Sequence, residues 1–176
     1  MASNHENVYF YSAPALEGTG KTTLNMADFK GKVLIILNVA SKWGVTVSNY
    51  KKLNELHEKY NSQGLEIIAQ PCNQFGKQEP KQGQDLYDDL ATNPKYSFPK
   101  FLSNYFARKD VNGENASELF LYLQKHENCP GELPTNEIKW NFKKFLIGRD
   151  GVPVKRFAPR EKMEKFIQEQ LAKASL

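Results

Sequence analysis

Apolar positions along the chain follow two periods, one typical of strands and one typical of helices. Residues 33–37 are continuously apolar, and a second apolar run covers residues 65–69. Between them, apolar side chains recur at intervals of three and four, which predicts strand, amphipathic helix and strand in a parallel β–α–β unit with a right-handed crossover. The predicted inner face of the helix consists of Val47, Tyr50, Leu53, Leu56 and Tyr60, and Gly64 ends the helix.

The remaining pattern predicts smaller elements around that unit. An apolar and aromatic segment at residues 8–14 is expected to pair as an edge strand, before a hairpin turn at residues 18–22. Apolar residues 145–147, a Gly-Arg-Asp-Gly turn and residues 152–158 predict an antiparallel hairpin. This order predicts an α/β protein with a thioredoxin-like fold, in which a central mixed β-sheet is flanked by helices. Further helices are expected over residues 85–90, 117–126 and 161–172.

Length and charge indicate a single domain over residues 1–176 and no dedicated nucleic-acid surface. A chain of 176 residues can bury one core without a second domain. The excess of 24 Lys and Arg over 20 Asp and Glu is small, and the basic residues are not gathered in one block. This balance would suit a small anionic substrate or a transient contact with a membrane surface, although an ordinary solvated surface is the simpler explanation.

Cysteine content and the N-terminal sequence favour a reducing compartment. Only Cys72 and Cys129 are present, so a disulfide framework is not expected. The first eleven residues contain no basic segment followed by an apolar stretch, and no apolar run approaches the length of a membrane span. A cytoplasmic protein is therefore expected.

The turn after the first apolar run is the strongest candidate for a functional site. A turn that enters a helix lies beside unpaired backbone N–H groups and the positive end of the helix dipole, which stabilise an anion. A thiolate or selenolate at that point would be activated. The sequence instead has Trp43 there, and an indole offers one N–H donor and no nucleophile.

A second polar loop follows the apolar run at residues 65–69. It contains the amides of Asn73, Gln74 and Gln78, together with one glycine and two prolines. Open α/β sheets carry their sites at the carboxyl ends of the parallel strands. We therefore expect this loop on the same side of the sheet as Trp43.

Three sequence blocks resemble the signature motifs of the glutathione peroxidase family. Their order and spacing match over nearly the whole chain, and the resemblance is closest to the monomeric phospholipid hydroperoxide glutathione peroxidases. It implies a thioredoxin-like fold and the reduction of hydrogen peroxide and organic or lipid hydroperoxides by a thiol. The blocks are Asn38-Val39-Ala40-Ser41-Lys42-x-Gly44-x-Thr46, Pro71-Cys72-Asn73-Gln74-Phe75-Gly76-x-Gln78-Glu79-Pro80 and Lys139-Trp140-Asn141-Phe142-x-Lys144-Phe145-Leu146.

The resemblance also implies that position 43 holds selenocysteine or cysteine and that Gln78, Trp140 and Asn141 complete the site. Neutral donors from two amides and an indole would favour the anionic nucleophile. Trp140 alone is explained more simply as a core aromatic residue, but its neighbour Asn141 and the Gln78 loop favour the functional interpretation. No metal or organic cofactor is implied, and glutathione enters as a co-substrate.

Trp43 departs from the family pattern, so the chain as written is expected to be inactive. Three explanations are open. UGA, which encodes selenocysteine, is the stop codon nearest to the tryptophan codon UGG, so a selenoprotein gene expressed without selenocysteine machinery can acquire tryptophan at this position. We favour this explanation over a deliberate substitution and over a natural pseudoenzyme.

Other departures bear on the reductant and on assembly. Family members that use thioredoxin keep a resolving cysteine after the glutamine loop, and residues 81–98 contain none. Glutathione or another small thiol is therefore the expected reductant. The connection at residues 126–138 lacks the longer insertion that resembles a tetramer contact in some relatives, so a monomer with an open site for lipid hydroperoxides is expected.

The rival hypothesis is a redox-inert module that keeps the fold in order to bind a partner or to sense oxidation through a cysteine. Cys72 follows a strand and is expected to be an inert buried thiol, whereas Cys129 lies in a loop, where it could be exposed and reactive. Lys42, Lys143 and Arg156 could hold glutathione carboxylates, but ordinary surface positions explain them more simply.

Overall fold

The computed structural model describes residues 6–174, which form one main β-sheet, a small separate hairpin and four α-helices. Short 3-10 helices connect several of these elements. The strands are β1 (Ser12–Pro14), β2 (Thr23–Asn25), β3 (Val33–Val39), β4 (Leu65–Pro71), β5 (Lys144–Ile147) and β6 (Pro153–Phe157). The helices are α1 (Thr46–Tyr60), α2 (Gly83–Thr92), α3 (Glu118–Lys125) and α4 (Glu164–Leu171).

The main sheet has the strand order β4-β3-β5-β6. β3 and β4 are parallel and are joined by α1, with Val33 opposite Leu65 and Val39 opposite Pro71. β5 runs antiparallel to β3, and β6 runs antiparallel to β5. The predicted mixed sheet, its β–α–β unit and its C-terminal hairpin are confirmed.

β3 supplies side chains to two hydrophobic clusters because it is buried on both faces. Ile35 and Leu37 pack on one face with residues of α1, α2 and α4. Leu34 and Ile36 pack on the other face with residues of α3 and of the N-terminal segment. Successive side chains of a strand point to opposite faces, so only a continuous apolar run can fill both sides. The carboxyl end of β3 is thereby held in place, and it positions the turn that follows.

The first turn of α1 differs from the predicted amphipathic pattern. Tyr50, Leu53 and Leu56 are buried against the sheet as expected, but Val47 is 48% exposed, so its prediction as an inner residue is wrong. Thr46 and Asn49 take the inner positions of that turn, since their side chains donate hydrogen bonds to backbone carbonyls before the helix.

Of the predicted edge strand over residues 8–14, only residues 12–14 form a strand, and this strand does not join the main sheet. Val8–Phe10 is a 3-10 helix, and β1 pairs only with β2. The reason is that residues 105–106 already lie along the free edge of β4, where the N–H of Phe106 donates to the carbonyl of Ala69 at 2.9 Å. The turn expected at residues 18–22 does connect β1 to β2.

The ends of the helices follow local capping rules. The Ser117 hydroxyl accepts a hydrogen bond from the N–H of Phe120 and begins α3. α1 continues into a 3-10 turn that Gly64 closes in the left-handed region, at φ +115°. Across residues 6–174, none of the helices has both the length and the apolar character needed to span a bilayer.

Candidate active site

The turn between β3 and α1 presents Trp43 at the carboxyl edge of the sheet. The N–H of Thr46 donates to the carbonyl of Trp43 at 3.1 Å, and the Thr46 hydroxyl donates to the carbonyl of Ala40 at 2.7 Å. Both bonds fix the path of the chain from strand into helix. Position 43 is thus held beside the N-terminus of α1, where the helix dipole favours negative charge.

The loop that carries Gln78 lies against this turn. The N–H of Lys42 donates to the carbonyl of Gln78 at 3.0 Å, which joins the two segments directly before position 43. This contact brings together two loops that leave neighbouring parallel strands, as the sequence predicts for the carboxyl edge of the sheet.

Gln78 and Asn141 form a direct amide pair. Asn141 Nδ2 donates to Gln78 Oε1 at 2.8 Å, and Asn141 is fully buried. Within the described chain, Asn141 Oδ1 is buried without a hydrogen-bond partner, and the hydrogen bonds found there include no acceptor for Gln78 Nε2. Asn141 therefore acts on Gln78, while the Gln78 amide N–H remains available to another group.

Each of the two tryptophans packs on an aromatic ring close to this amide pair. The Trp43 ring is partly buried and stacks on Phe142, with ring centroids 5.8 Å apart and an angle of 22° between the planes. Trp140 is 39% exposed and packs on Phe75, at 5.9 Å between centroids. Gln78 is bonded to Asn141, Trp140 precedes Asn141 in the chain, and Trp43 packs on Phe142, which follows it, so the four predicted site residues lie together. Trp140 is too exposed to be a core residue.

A residue that the sequence analysis did not single out holds the segment from Trp140 to Lys143. Asn38, at the end of β3, donates from Nδ2 to the carbonyl of Trp140 at 3.0 Å and accepts from the N–H of Lys143 at 3.0 Å. Its carbonyl also accepts from the N–H of Phe142 at 2.9 Å. An asparagine near the end of an otherwise apolar buried strand was the available signal, because a buried amide needs partners.

Phe142 adopts a left-handed backbone at φ +59°, which is costly for a residue with a large side chain. Strain of this kind is about 1–3 kcal/mol and persists only where the surroundings impose it. The three hydrogen bonds to Asn38 impose it here. The result is that Asn141 turns toward Gln78 while the Phe142 ring lies under Trp43.

The polar amides of the residue 70–80 loop divide into two roles. Asn73 Oδ1 accepts from the N–H of Glu79 and closes the loop on itself. Gln74 Oε1 accepts from the N–H groups of Val111 and Asn112, which anchors the loop to a neighbouring segment. Gln78 differs from both, because its side chain is bonded to Asn141 at the site rather than to the backbone of the loop.

A buried carboxyl group lies between the two loops of the site. Glu79 is fully buried, and the Ser41 hydroxyl donates to Glu79 Oε1 at 2.5 Å. Burial raises the pKa of the Glu79 carboxyl to about 7, while the bonds from Ser41 and the charge of Arg108 oppose this rise. Glu79 Oε2 is one of the buried oxygens without a partner among the described residues. The sequence contained this glutamate in a motif but gave no sign of its burial.

Both cysteines are buried, which corrects the expectation that Cys129 could be exposed and reactive. Burial raises the pKa of the Cys129 thiol to about 11 and also raises the pKa of Cys72. Cys129 packs in the cluster that contains α3, so a loop position did not mean an exposed one. Neither thiol has the lowered pKa and exposure of a redox sensor.

Two of the three cations considered for glutathione carboxylates are engaged elsewhere. Lys143 is buried and pairs with Glu132 at 3.0 Å. Arg156 donates to the backbone carbonyls of Gln124 and Glu137. Lys42 is exposed beside Trp43 and has no ion pair among the described residues.

No group of three or more His, Cys, Asp or Glu side chains in the described part of the chain could hold a metal ion. The side chains of the four predicted site residues are two neutral amides and two indole rings. Such a set can donate hydrogen bonds and exclude water, but in this chain it contains no nucleophile.

The sheet order and the site at the start of α1 define a protein of the thioredoxin-like class. A thioredoxin-family thiol:disulfide interchange protein from Chlorobium tepidum has this fold with a TM-score of 0.63, over 92% of this chain and 93% of its own, at 14% identity. The crystal structure of T. cruzi GPX1 agrees with a TM-score of 0.72 and 33% identity, over 94% of each chain.

The chain belongs to the glutathione peroxidase family. The family model described as "Glutathione peroxidase" matches residues 8–124. A relative from Solanum lycopersicum, named "Probable phospholipid hydroperoxide glutathione peroxidase", is 42% identical over 177 aligned positions, which cover 99% of this chain and 98% of the relative. The resemblance of the three sequence blocks to glutathione peroxidases, including relatives named for phospholipid hydroperoxides, is thereby confirmed.

Proposed function

We propose that the active form of this protein reduces hydroperoxides with a thiol, through a selenocysteine or cysteine at position 43. Gln78, Trp140 and Asn141 complete the site. The observation that carries this proposal is the Asn141–Gln78 amide pair, which lies against the turn at position 43 through the Lys42–Gln78 backbone bond. A buried asparagine that holds a half-buried glutamine amide beside this turn suits a site that must stabilise a developing anion.

The residues of the site have separate tasks in this proposal. Asn141 orients Gln78, whose free amide N–H donates to the chalcogen anion together with the Trp140 indole. The N-terminus of α1 adds a positive dipole at the same point. Neutral donors lower the cost of forming the anion without repelling or trapping a neutral peroxide.

With a thiolate at position 43, the chemistry balances without a metal. The sulfur attacks the distal peroxide oxygen, the O–O bond breaks, and the alcohol leaves with a proton, so that the sulfur becomes a sulfenic acid. One glutathione thiol displaces water to form a mixed disulfide. A second glutathione thiol then releases glutathione disulfide and restores the nucleophile.

Trp43 makes the present chain inactive in this proposal. Its indole carbon framework cannot take up oxygen from a peroxide in the way a chalcogen does, and its ring packs on Phe142 beside the amide pair. We favour a selenocysteine codon as the origin of this tryptophan. The rival role as a cysteine-based sensor is not favoured, because both thiols are buried with raised pKa values.

Glutathione or a similar small thiol is the proposed reductant. α2 and the residues around it, from 81 to 98, contain no cysteine that could resolve the oxidised nucleophile within the chain. The Solanum lycopersicum relative named for phospholipid hydroperoxides supports lipid hydroperoxides as substrates, and the 39% exposure of Trp140 fits an open site. A cytoplasmic location and a transient membrane contact are part of the same proposal.

The decisive experiment replaces Trp43 with cysteine. Trp43→Cys should gain glutathione-dependent reduction of hydrogen peroxide and of a phospholipid hydroperoxide, measured by coupled oxidation of NADPH. Trp43→Ser is the matched control, because serine has the same shape but a hydroxyl that peroxide does not oxidise. A folded Trp43→Cys protein with no more turnover than Trp43→Ser would contradict the proposal.

The role of the amide pair is tested in the Trp43→Cys background. Gln78→Ala should lower kcat/KM by roughly tenfold to a hundredfold, since it removes a donor to the anion. It should also raise the pKa of the thiol introduced at position 43, which the pH dependence of iodoacetamide labelling measures. Gln74→Ala is the control for a loop amide that only anchors the loop, so the thiol pKa should then stay where it was.

A further inference from the structure

A cavity of about 440 Å³ opens between α1 and the segment that leads into α4. Its lining residues include none of Trp43, Gln78, Trp140 and Asn141. The cavity is therefore separate from the residues that carry the proposed peroxidase chemistry, and its lining residues call for their own explanation.

Lys144 is the most unusual residue in the lining of this cavity. It lies at the start of β5 and is only 5% exposed, although its side chain ends in an amine. Nζ donates to Asn49 Oδ1 at 2.6 Å and to the carbonyl of Pro159 at 2.7 Å. Among the described residues, no carboxylate lies within 4.0 Å of this amine, since the five ion pairs there all use other lysines.

The two acceptors leave one position on the nitrogen of Lys144 unused. A protonated amine has three N–H donors, and a neutral amine has two N–H donors and a lone pair. In either state the contacts with Asn49 and Pro159 use two positions. Burial without a counter-charge favours the neutral amine and lowers the pKa of Lys144 to about 8. A neutral amine in a cavity wall is a nucleophile.

The charges around the cavity favour an anionic group beside that amine. Lys52, Arg160 and Lys162 line it, and no ion pair occupies them in the described chain. The two acidic residues of the lining are engaged with lysines outside it, because Glu161 pairs with Lys155 and Glu164 with Lys59.

The lining also has an apolar part. Leu53 and Leu56 of α1 and Met163 contribute to it. A ligand that fits this combination has an apolar body, one anionic group for the cations and an electrophilic carbon for Lys144.

We propose that this cavity is a second binding site, in which Lys144 forms an imine with an aldehyde that also carries an anionic group. The Lys144 nitrogen attacks the carbonyl carbon and a carbinolamine forms. Water then leaves with the carbonyl oxygen, and a carbon–nitrogen double bond remains. No oxidant or reductant is consumed, and hydrolysis returns the free lysine. The site is independent of the residue at position 43, so the protein with Trp43 should have it.

Pyridoxal phosphate is the probe that tests this site, because it combines an aldehyde, an aromatic body and a phosphate. The unchanged protein is treated with an equimolar amount, reduced with sodium borohydride and digested, and each lysine peptide is quantified by mass spectrometry. Lys144 should be labelled roughly tenfold more than Lys51 or Lys155, although it is the most buried of the three. Pyridoxal, which lacks the phosphate, should label it less.

Two variants test the charge requirement without touching the amine. Lys52→Ala and Arg160→Ala should each lower pyridoxal phosphate labelling of Lys144 by roughly threefold or more, and should leave pyridoxal labelling unchanged. Lys51→Ala is the matched control, since it removes one charge from the neighbouring position of α1 outside the cavity.

Two outcomes would overturn the proposal. Labelling that simply follows exposure, with Lys144 unmodified, would show that the amine is not a reactive group of the cavity. Labelling of Lys144 that is equal for both probes and insensitive to Lys52→Ala and Arg160→Ala would rule out the anionic aldehyde as the ligand class. The first measurement needs no substitution at all, so misfolding of a variant cannot obscure it.

Discussion

At the scale of single residues, two buried titratable side chains are the most unusual features, one beside the proposed active site and one in the wall of the cavity between α1 and the segment that leads into α4. Glu79 and Lys144 are each at most 5% exposed, yet neither has an opposite charge as its direct hydrogen-bond partner. Isolated buried charges are expensive, so both groups shift their pKa values toward the neutral form. Both residues lie within sequence motifs whose letters give no sign of a shifted pKa, and their burial in the folded chain is what sets them apart from other Glu and Lys residues.

Glu79 should make the protein less stable as the pH rises from acid to neutral. Its pKa is about 7 in the folded protein against 4.5 for the unperturbed group, so ionisation favours the unfolded chain. The stabilising contribution is fully present below about pH 4.5 and is lost as the pH rises to about 7. Relative to Glu79→Gln, the free energy of unfolding should fall by up to about 3 kcal/mol between about pH 5 and pH 8, measured with urea.

The comparison with Glu79→Gln removes the contributions of other groups, such as His57, because both proteins contain them. Glu161→Gln serves as the control, since Glu161 is about 40% exposed and pairs with Lys155 at the surface. If the free energy of unfolding depends on pH in the same way in the unchanged protein and in Glu79→Gln, the pKa of the Glu79 carboxyl is not raised in the folded protein.

At the scale of elements, the site is built where strand ends meet loops. β3 ends in Asn38 and Val39, and the Asn38 side chain ties the loop before β5 to the sheet and maintains the left-handed backbone of Phe142. The same loop carries Trp140 and Asn141. The central strand therefore positions two segments of the site, one by continuing into the turn at Trp43 and one by hydrogen bonds across the sheet.

Asn38→Ala should loosen the loop at residues 140–143 and destabilise the protein by about 2–3 kcal/mol. It removes the hydrogen bond to the Trp140 carbonyl and leaves the buried N–H group of Lys143 without a partner. Amide hydrogen exchange should become faster at Lys143, and chemical denaturation should give the loss of stability. Asn104→Ala also deletes two bonds, to Glu66 and Ile67, but should leave exchange at Lys143 unchanged.

At the scale of the whole molecule, the described surface gives no sign of an obligate partner copy. The large apolar residues with substantial exposure come from separate elements and loops: Phe10, Val47, Phe98, Leu133 and Trp140. Stable homodimers bury larger, contiguous apolar patches. A formal net charge of +4 also disfavours self-association.

The protein should therefore be a monomer in solution. Sedimentation velocity should give one species near 20.1 kDa whose coefficient does not change over a roughly hundredfold range of concentration. A dimer that persists in the micromolar range would contradict this expectation and would identify one of the exposed apolar residues as part of an interface.

The sequence by itself determined the order of elements, the mixed sheet and the family. Long apolar runs such as residues 33–37 specify buried strands through local periodicity, and the three motifs carry the family pattern in contiguous residues. The four residues proposed for the site could also be named from these motifs. The local pattern predicted the wrong structure for part of the N-terminal segment, because Phe106 lies along the free edge of β4. It also predicted the wrong burial for Val47, because polar side chains take the inner positions in the first turn of α1.

Only the tertiary structure decided what each polar side chain is bonded to. The Asn141–Gln78 pair joins residues 63 positions apart, and Asn38 bonds residues more than 100 positions away. The burial of Cys129, Glu79 and Lys144 depends in the same way on which elements cover them. Such pairings and pKa shifts arise from packing between distant segments, and the linear order of residues does not contain that information in a local pattern.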